Sequence, residues 1–167
     1  MPRQLIHVAT ICTGNICRSP MAEVVLRHLI AEDHLLKDQV SVTSAGTANW
    51  HVGSPMDPRA RAALDRAGYH GTGSPGAFAD RDFLDRQDIV IVMTREHRRE
   101  VLLRLTNVDT EVVLWRSLLD SKRELDVADP YYGDDVEFDE CLAILSVGGE
   151  RLTSLLRSRI GRRAREG

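Results

Sequence analysis

The residues of this chain best suited to chemistry form one short run near its start, Cys12-Thr13-Gly14-Asn15-Ile16-Cys17-Arg18-Ser19. An apolar segment, Leu5 to Ile11, precedes the run, and a helix-like segment from Pro20 follows it. A strand, a tight loop holding Gly14 and Asn15, and a helix start together make an anion cradle, where loop N–H groups and the helix dipole converge. A field of that kind favours a thiolate, the nucleophilic form of a cysteine. The chemistry to expect is phosphate-ester cleavage. Cys12 attacks phosphorus, and water hydrolyses the resulting cysteinyl phosphate. N–H groups from Thr13, Gly14, Asn15, Ile16, Cys17 and Arg18 hold the equatorial oxygens, and the Arg18 guanidinium adds a bidentate pair. Ser19 is placed to donate a hydrogen bond to the Cys12 sulfur. Asn15 tolerates a left-handed backbone and offers a side chain to lock the loop. A lone C-x5-R is a weak pattern; the glycine, asparagine and serine between a strand and a helix make it specific.

The elements that must carry this loop follow from periodicity. Leu5 to Ile11 reads as a buried parallel strand. Met21, Val24, Val25 and Leu29 recur at helical spacing after it, with Pro20 in the first turn, where its missing N–H costs nothing. Val40 to Ala45 reads as a second strand, closed by Gly46. Asp57-Pro58 is a helix start and Gly68 a helix end. His70 to Ala77, rich in glycine with one proline, reads as a surface loop. Ile89 to Met93 is a third strand, Thr94 caps the helix after it, and Val112 to Trp115 is a fourth strand. A loop from about Arg116 to Asp135 leads into a last helix burying Phe138, Leu142, Leu145, Leu152, Leu156 and Ile160, with a bend expected at Gly148-Gly149. Alternation of strands and helices implies a single-domain α/β three-layer sandwich, a four-stranded parallel sheet with helices on both faces and the phosphate-binding loop after strand 1. Ligands in such sheets bind beyond the carboxyl ends of the strands, near a topological switch point.

Composition narrows the class. A chain of 167 residues, 43% hydrophobic, suits one domain over residues 1–167. No apolar run is long enough to span a membrane, and Met1-Pro2-Arg3-Gln4 lacks the pattern of a signal peptide, so a cytoplasmic protein is expected. The net charge of −3 argues against general nucleic-acid binding. Charge is uneven: nine acids against two bases from Asp120 to Glu140, then six arginines and no acid from Arg151 to Arg165. That asymmetry reads as dipole matching along one terminal helix. Cys12, Cys17 and Cys141 match neither a disulfide framework nor a zinc spacing, so free thiols and no bound metal or other cofactor are expected.

At these residues the chain resembles a known family. Cys12 through Ser19, continued by Pro20-Met21-Ala22-Glu23, is similar to the signature of the low-molecular-weight protein tyrosine phosphatases, in the style of their bacterial, actinobacterial-type members. Ser44-Ala45-Gly46-Thr47 with Trp50, and Asp57-Pro58-Arg59-Ala60, resemble the family's second segment. Asp129-Pro130-Tyr131-Tyr132-Gly133 resembles its acid loop. The resemblance implies that Asp129 is the general acid, that Trp50, Tyr131 and Tyr132 wall a slot for a phosphotyrosine ring, and that Ser44 belongs to the hydrogen bonds supporting the loop. It also implies a reversible disulfide between Cys12 and Cys17 that protects the nucleophile. Phosphotyrosine proteins are then the partners, inorganic phosphate or a similar oxyanion occupies the site, and the enzyme is a monomer. The chain departs from the family at Gly73-Ser74-Pro75-Gly76, where many members carry His-x-Ala-Arg, and at Met93-Thr94, where many carry Met-Asp. Both departures bear on the contacts behind the loop.

Three other readings are weaker. An arsenate reductase of this fold needs further cysteines to relay a disulfide, and none lies between Cys17 and Cys141. A protein arginine phosphatase tends to carry threonine where Ile16 stands, and the pair Tyr131-Tyr132 better suits a phenyl ring. A non-catalytic phosphoprotein-binding module has no need of Asp129.

Overall fold

The computed structural model describes residues 4–167. Residues 1–3, part of the stretch without a signal-peptide pattern, lie outside the described residues. Four parallel strands, β1 (Ile6–Cys12), β2 (Val40–Gly46), β3 (Ile89–Val92) and β4 (Glu111–Leu114), form one sheet in the order β2-β1-β3-β4. Between and after them run α1 (Arg18–Ala31), α2 (Pro58–Arg66), α3 (Arg81–Asp85), α4 (Arg95–Arg104) and α5 (Asp135–Glu166). The chain leaves β1 for β2 on one side and then crosses to β3 on the other. The switch point therefore falls at the carboxyl end of β1, where the loop Cys12–Ser19 begins.

Alternation along the strands divides the core. Ile6, Val8 and Cys12 of β1, with Ile89 and Ile91 of β3, face one cluster shared with α1 and α5. Ala9 and Ile11, with Val90 and Val92, face a second cluster on the opposite face. The central strands are thus covered on both faces, which is why they read as near-continuous apolar runs.

Several boundaries move. Helix α1 begins at Arg18, not Pro20, so Pro20 is its third residue and still within the turn whose N–H groups lack intrahelical partners. Strand β3 stops at Val92. Strand β4 stops at Leu114, because Trp115 opens a 3-10 turn, Trp115–Leu118. The five-residue α3, capped by Asp80 accepting from the Phe83 amide, escapes the periodicity argument because it is too short to show a period.

The glycine pair at 148-149 does not break the helix. Helix α5 runs 32 residues unbroken. A Cβ on Gly148 would overlap the Trp115 indole, and one on Gly149 would lie 3.0 Å from Val25 Cγ1. The pair lets Trp115 and α1 approach the helix axis, and the indole donates to the Ile144 carbonyl at 3.3 Å. Packing explains these glycines. The acids and arginines of α5 divide as expected at its ends: Asp134 and Glu137 close a capping box, and Arg163 and Arg165 occupy the last turn. Arg157 and Arg159 instead pair outward with Asp33 and Glu111. Among the described residues no helix is long and apolar enough to cross a membrane.

Candidate active site

The loop from Cys12 to Arg18 turns its carbonyls outward and its amides inward. Thr47 N–H donates to the Cys12 carbonyl at 2.9 Å, Ala48 N–H to Thr13 at 3.0 Å, and Asp57 N–H to Ile16 at 2.8 Å; Met21 N–H takes the Cys17 carbonyl at 3.0 Å. The amides of Thr13 through Arg18 have no acceptor among the described residues. Asn15, at φ 58°, makes the reversal that gathers them. Gly46 is required beside it, since a Cβ there would collide with the Thr13 carbonyl. Amide donors and the positive end of α1 therefore surround the Cys12 sulfur, at the end of β1.

A buried hydrogen-bond chain holds this shape. Asn15 Nδ2 donates to Ser19 Oγ at 2.8 Å and to Ser44 Oγ at 2.9 Å, and Asn15 Oδ1 accepts from the Ala77 amide at 3.0 Å. With its oxygen accepting from Asn15, the Ser19 hydroxyl is free to donate to Cys12 Sγ, 2.9 Å away. Ser44 donates in turn to Glu23, a fully buried carboxylate that also accepts from the Ser74 amide at 2.8 Å. Here the first departure from the family pattern finds its explanation. Ser74 closes the network through its backbone, and Gly73 leaves room, since a Cβ there would stand 3.3 Å from Glu23 Oε2.

The second departure is accommodated as well. Thr94 accepts from the His97 amide at 3.1 Å as the cap of α4, and this brings His97 Nε2 to 2.7 Å from Thr13 Oγ1. His97 is buried, and burial, followed by the nearby Arg18 charge, pushes its pKa down to about 4. The imidazole beside the loop is therefore neutral. Its partnership with Thr13 escaped the sequence reading, which had only the cap to go on.

Arg18 and Asp129 lie 111 residues apart in the chain and meet at the loop: Arg18 Nη2 is 3.4 Å from Asp129 Oδ2, and Arg18 Nη1 donates to the Val127 carbonyl at 3.0 Å. Asp129 Oδ1 accepts from the Tyr131 amide at 3.1 Å. A cavity of about 220 Å³ is lined by Cys12, Arg18 and Asp129 together with Trp50, His51, Tyr131 and Tyr132. The rim is open: Trp50 is 73% exposed, Tyr132 92% and Tyr131 41%. The two tyrosines meet edge to face, centroids 5.0 Å apart. His51 is a lining residue the sequence reading passed over. Gly14 makes room for it, as a Cβ at that position would sit 3.1 Å from His51 Cδ2.

Cys17, which caps the start of α1, and Cys12 are both buried free thiols. Burial, then the Asp57 charge, pushes the Cys17 thiol well above its usual range. Cys141 is buried in the α5 core, and burial raises its thiol to about 12.

Fold and site together define a parallel α/β protein whose first strand ends in a buried thiol, followed by a loop whose amides have no acceptor among the described residues. The family model of the low molecular weight phosphotyrosine protein phosphatases matches residues 7–163. The low molecular weight protein-tyrosine phosphatase A of Mycobacterium tuberculosis is 42% identical over 143 residues, covering 84% of this chain and 85% of that protein. A low molecular weight protein-tyrosine-phosphatase of Streptomyces coelicolor is 37% identical over 163 residues, 95% and 98% of the two chains. The crystal structure of YfkJ from Bacillus subtilis superposes with a TM-score of 0.83 at 28% identity, covering 95% of this chain and 99% of that one. The chain belongs to the low molecular weight phosphotyrosine protein phosphatase family.

Proposed function

We propose that the protein hydrolyses phosphotyrosine in proteins, and small aryl phosphates, through a cysteinyl-phosphate intermediate. Cys12 Sγ forms a bond to phosphorus in line with the departing phenol oxygen, and the Asp129 carboxyl gives that oxygen its proton as the P–O bond breaks. Asp129, now a carboxylate, takes a proton from the water that attacks phosphorus. Inorganic phosphate leaves and the thiolate returns. The amides of Thr13 to Arg18 and the Arg18 fork stabilise the charge spread over the three equatorial oxygens. Ser19 steadies the sulfur, and Asn15 and Ser44 keep the loop in its left-handed turn. Trp50, Tyr131 and Tyr132 receive the ring.

One observation carries this reading above a merely anion-binding one. Asp129 lies 3.4 Å from Arg18 and lines the same cavity as Cys12. A pure phosphate binder gains nothing from a carboxylate there, because it repels the ligand.

In the same reading Cys17 guards the nucleophile. A peroxide oxidises Cys12 to the sulfenic acid, Cys17 displaces water from it to form a disulfide, and a reducing thiol restores both. Peroxide-treated Cys17→Ser enzyme should then fail to recover fully with thiol, and full recovery would remove this role. The chain acts as a single catalytic unit, monomeric and cytoplasmic.

The test is a panel of phosphotyrosine, phosphoserine and phosphoarginine peptides with wild type and Cys12→Ser. Turnover of phosphotyrosine alone, abolished by Cys12→Ser while inorganic phosphate still binds, is expected. Preference for phosphoarginine, or near-wild-type turnover by Cys12→Ser, would overturn the reading.

A further inference from the structure

Arg59, outside the catalytic set, spans the two loops that meet at the cavity. It lies in the first turn of α2. Its Nε and Nη2 donate to the Asp57 carboxylate at 3.0 and 2.8 Å, and its Nη1 donates to the carbonyls of Tyr131 at 2.9 Å and Gly133 at 3.3 Å. The guanidinium also lies 5.2 Å from the Tyr131 ring centroid and 4.7 Å from that of Phe138. Among the described residues, the backbone of residues 128–133 makes no other hydrogen bond outside its own segment. Asp57 anchors the other end: its amide donates to the Ile16 carbonyl of the cradle at 2.8 Å. A continuous connection therefore runs from Ile16 through Asp57 and Arg59 to Tyr131, two residues beyond Asp129.

The chemistry of the connection suits a brace. A planar fork satisfied on one edge by a carboxylate has its orientation set, and its remaining N–H groups then point in one direction. The Arg59 hydrogen bonds hold the Asp57 carboxyl below the usual carboxylate range, so the pair stays ionised where the enzyme works. Asp57 is also the cap of α2, its Oδ1 accepting from the Arg59 amide at 2.8 Å, which fixes the brace to the helix.

We propose that Arg59 is a positioning residue for this phosphatase: braced by Asp57, it fixes the acid loop against the cradle so that the Asp129 carboxyl meets the leaving oxygen. Arg59 contacts neither the reacting atoms nor the phosphate; it acts by positioning the loop that carries Asp129. The proposal rests on the reading of Asp129 as the general acid.

The experiment measures kcat/KM, which reports formation of the cysteinyl phosphate, for two esters. One releases a phenolate as basic as tyrosine, with a pKa of about 10, and depends on the acid. The other releases a dinitrophenolate and needs little protonation. Arg59→Met should lose about 10–100-fold on the phenyl ester, part of the 10²–10⁴ that a general acid supplies, and less than about 3-fold on the dinitrophenyl ester. Inhibition by inorganic phosphate should persist, showing an intact cradle. In an Asp129→Asn background, Arg59→Met should cost no more than about 2-fold further on the phenyl ester, because the two residues act as one unit. Equal losses on both esters, or fully additive losses, would overturn the proposal. If Asp129→Asn alone leaves the phenyl ester unaffected, the general-acid reading fails first, and the two failures are told apart. Arg59→Lys, which keeps the charge without the fork, and Asp57→Asn, which keeps the cap and weakens the ion pair, should show the same ester-selective loss. Wild-type kcat/KM in both would overturn the proposal even if Arg59→Met did not fold.

Discussion

The two loops of the site are built on opposite plans. The cradle, Cys12 to Ser19, is largely buried, and its outward carbonyls and the Asn15 side chain are tied to surrounding segments: the 46–48 turn, the start of α2, the strap ending at Ala77. The acid loop, residues 128–133, is largely exposed and anchored through Arg59 and through the Arg18–Asp129 contact. The difference follows from what each must do. Transition-state donors act best when they need no reorganisation during the reaction, so the cradle is rigid before substrate arrives. A loop that covers a phosphorylated side chain of another protein must admit and release it, which a buried, fully bonded segment does not permit.

Breaking the contrast at the exposed side gives the largest effect short of removing the nucleophile. Asp129→Ala should slow aryl phosphate turnover by about 10²–10⁴-fold with little loss of thermal stability, since the carboxylate is half exposed; an unchanged rate would place the acid elsewhere. At the buried side the balance reverses. Asn15→Ala strands the Ala77 amide, removes a donor from the Ser19 and Ser44 hydroxyls and puts alanine in a left-handed turn. The variant should be destabilised by about 2–4 kcal/mol, read by denaturant titration, and should also bind phosphate more weakly. Wild-type stability would mean that the network is not what holds the loop.

The last effect is one of pH. An unfolded histidine takes up its proton near pH 6.5, as a general value, whereas His97 in the fold does so only at about 4. Between those values the unfolded chain binds more protons. Stability therefore falls as pH drops from about 6.5 towards 4, by up to about 3 kcal/mol, and the loss levels off below. His97→Gln, which keeps a donor for Thr13, should flatten that slope in melts across the range. An unaltered slope would assign it to other groups.

How much of this was legible in the sequence depended on chain distance. Strand, loop and helix from Leu5 to Leu29 are contiguous, so periodicity and the Gly-Asn turn were enough to read their order. Asp129 is one of nine acids between Asp120 and Glu140; nothing local separates it from the others, and only the resemblance singled it out. His51, His97 and the carbonyl contacts of Arg59 come from segments that meet only in the fold. Asp57-Pro58 read truthfully as a cap but gave no hint of the brace built on it. A glycine pair such as Gly148-Gly149 inside a helix signals a bend and a close approach equally well in sequence. Only the Trp115 indole, 33 residues earlier, distinguishes the two.

The central claim is that Cys12 carries the phosphoryl group between substrate and water. It is tested most directly by acid-quenching the enzyme during turnover of dinitrophenyl phosphate, whose leaving group needs little protonation, and locating the phosphate by peptide mass spectrometry, with Asp129→Asn included to slow hydrolysis of the adduct. The account predicts a phosphate on the Cys12 sulfur, more abundant in Asp129→Asn and absent from Cys12→Ser. Turnover with no adduct, or with the phosphate on another residue, would contradict it.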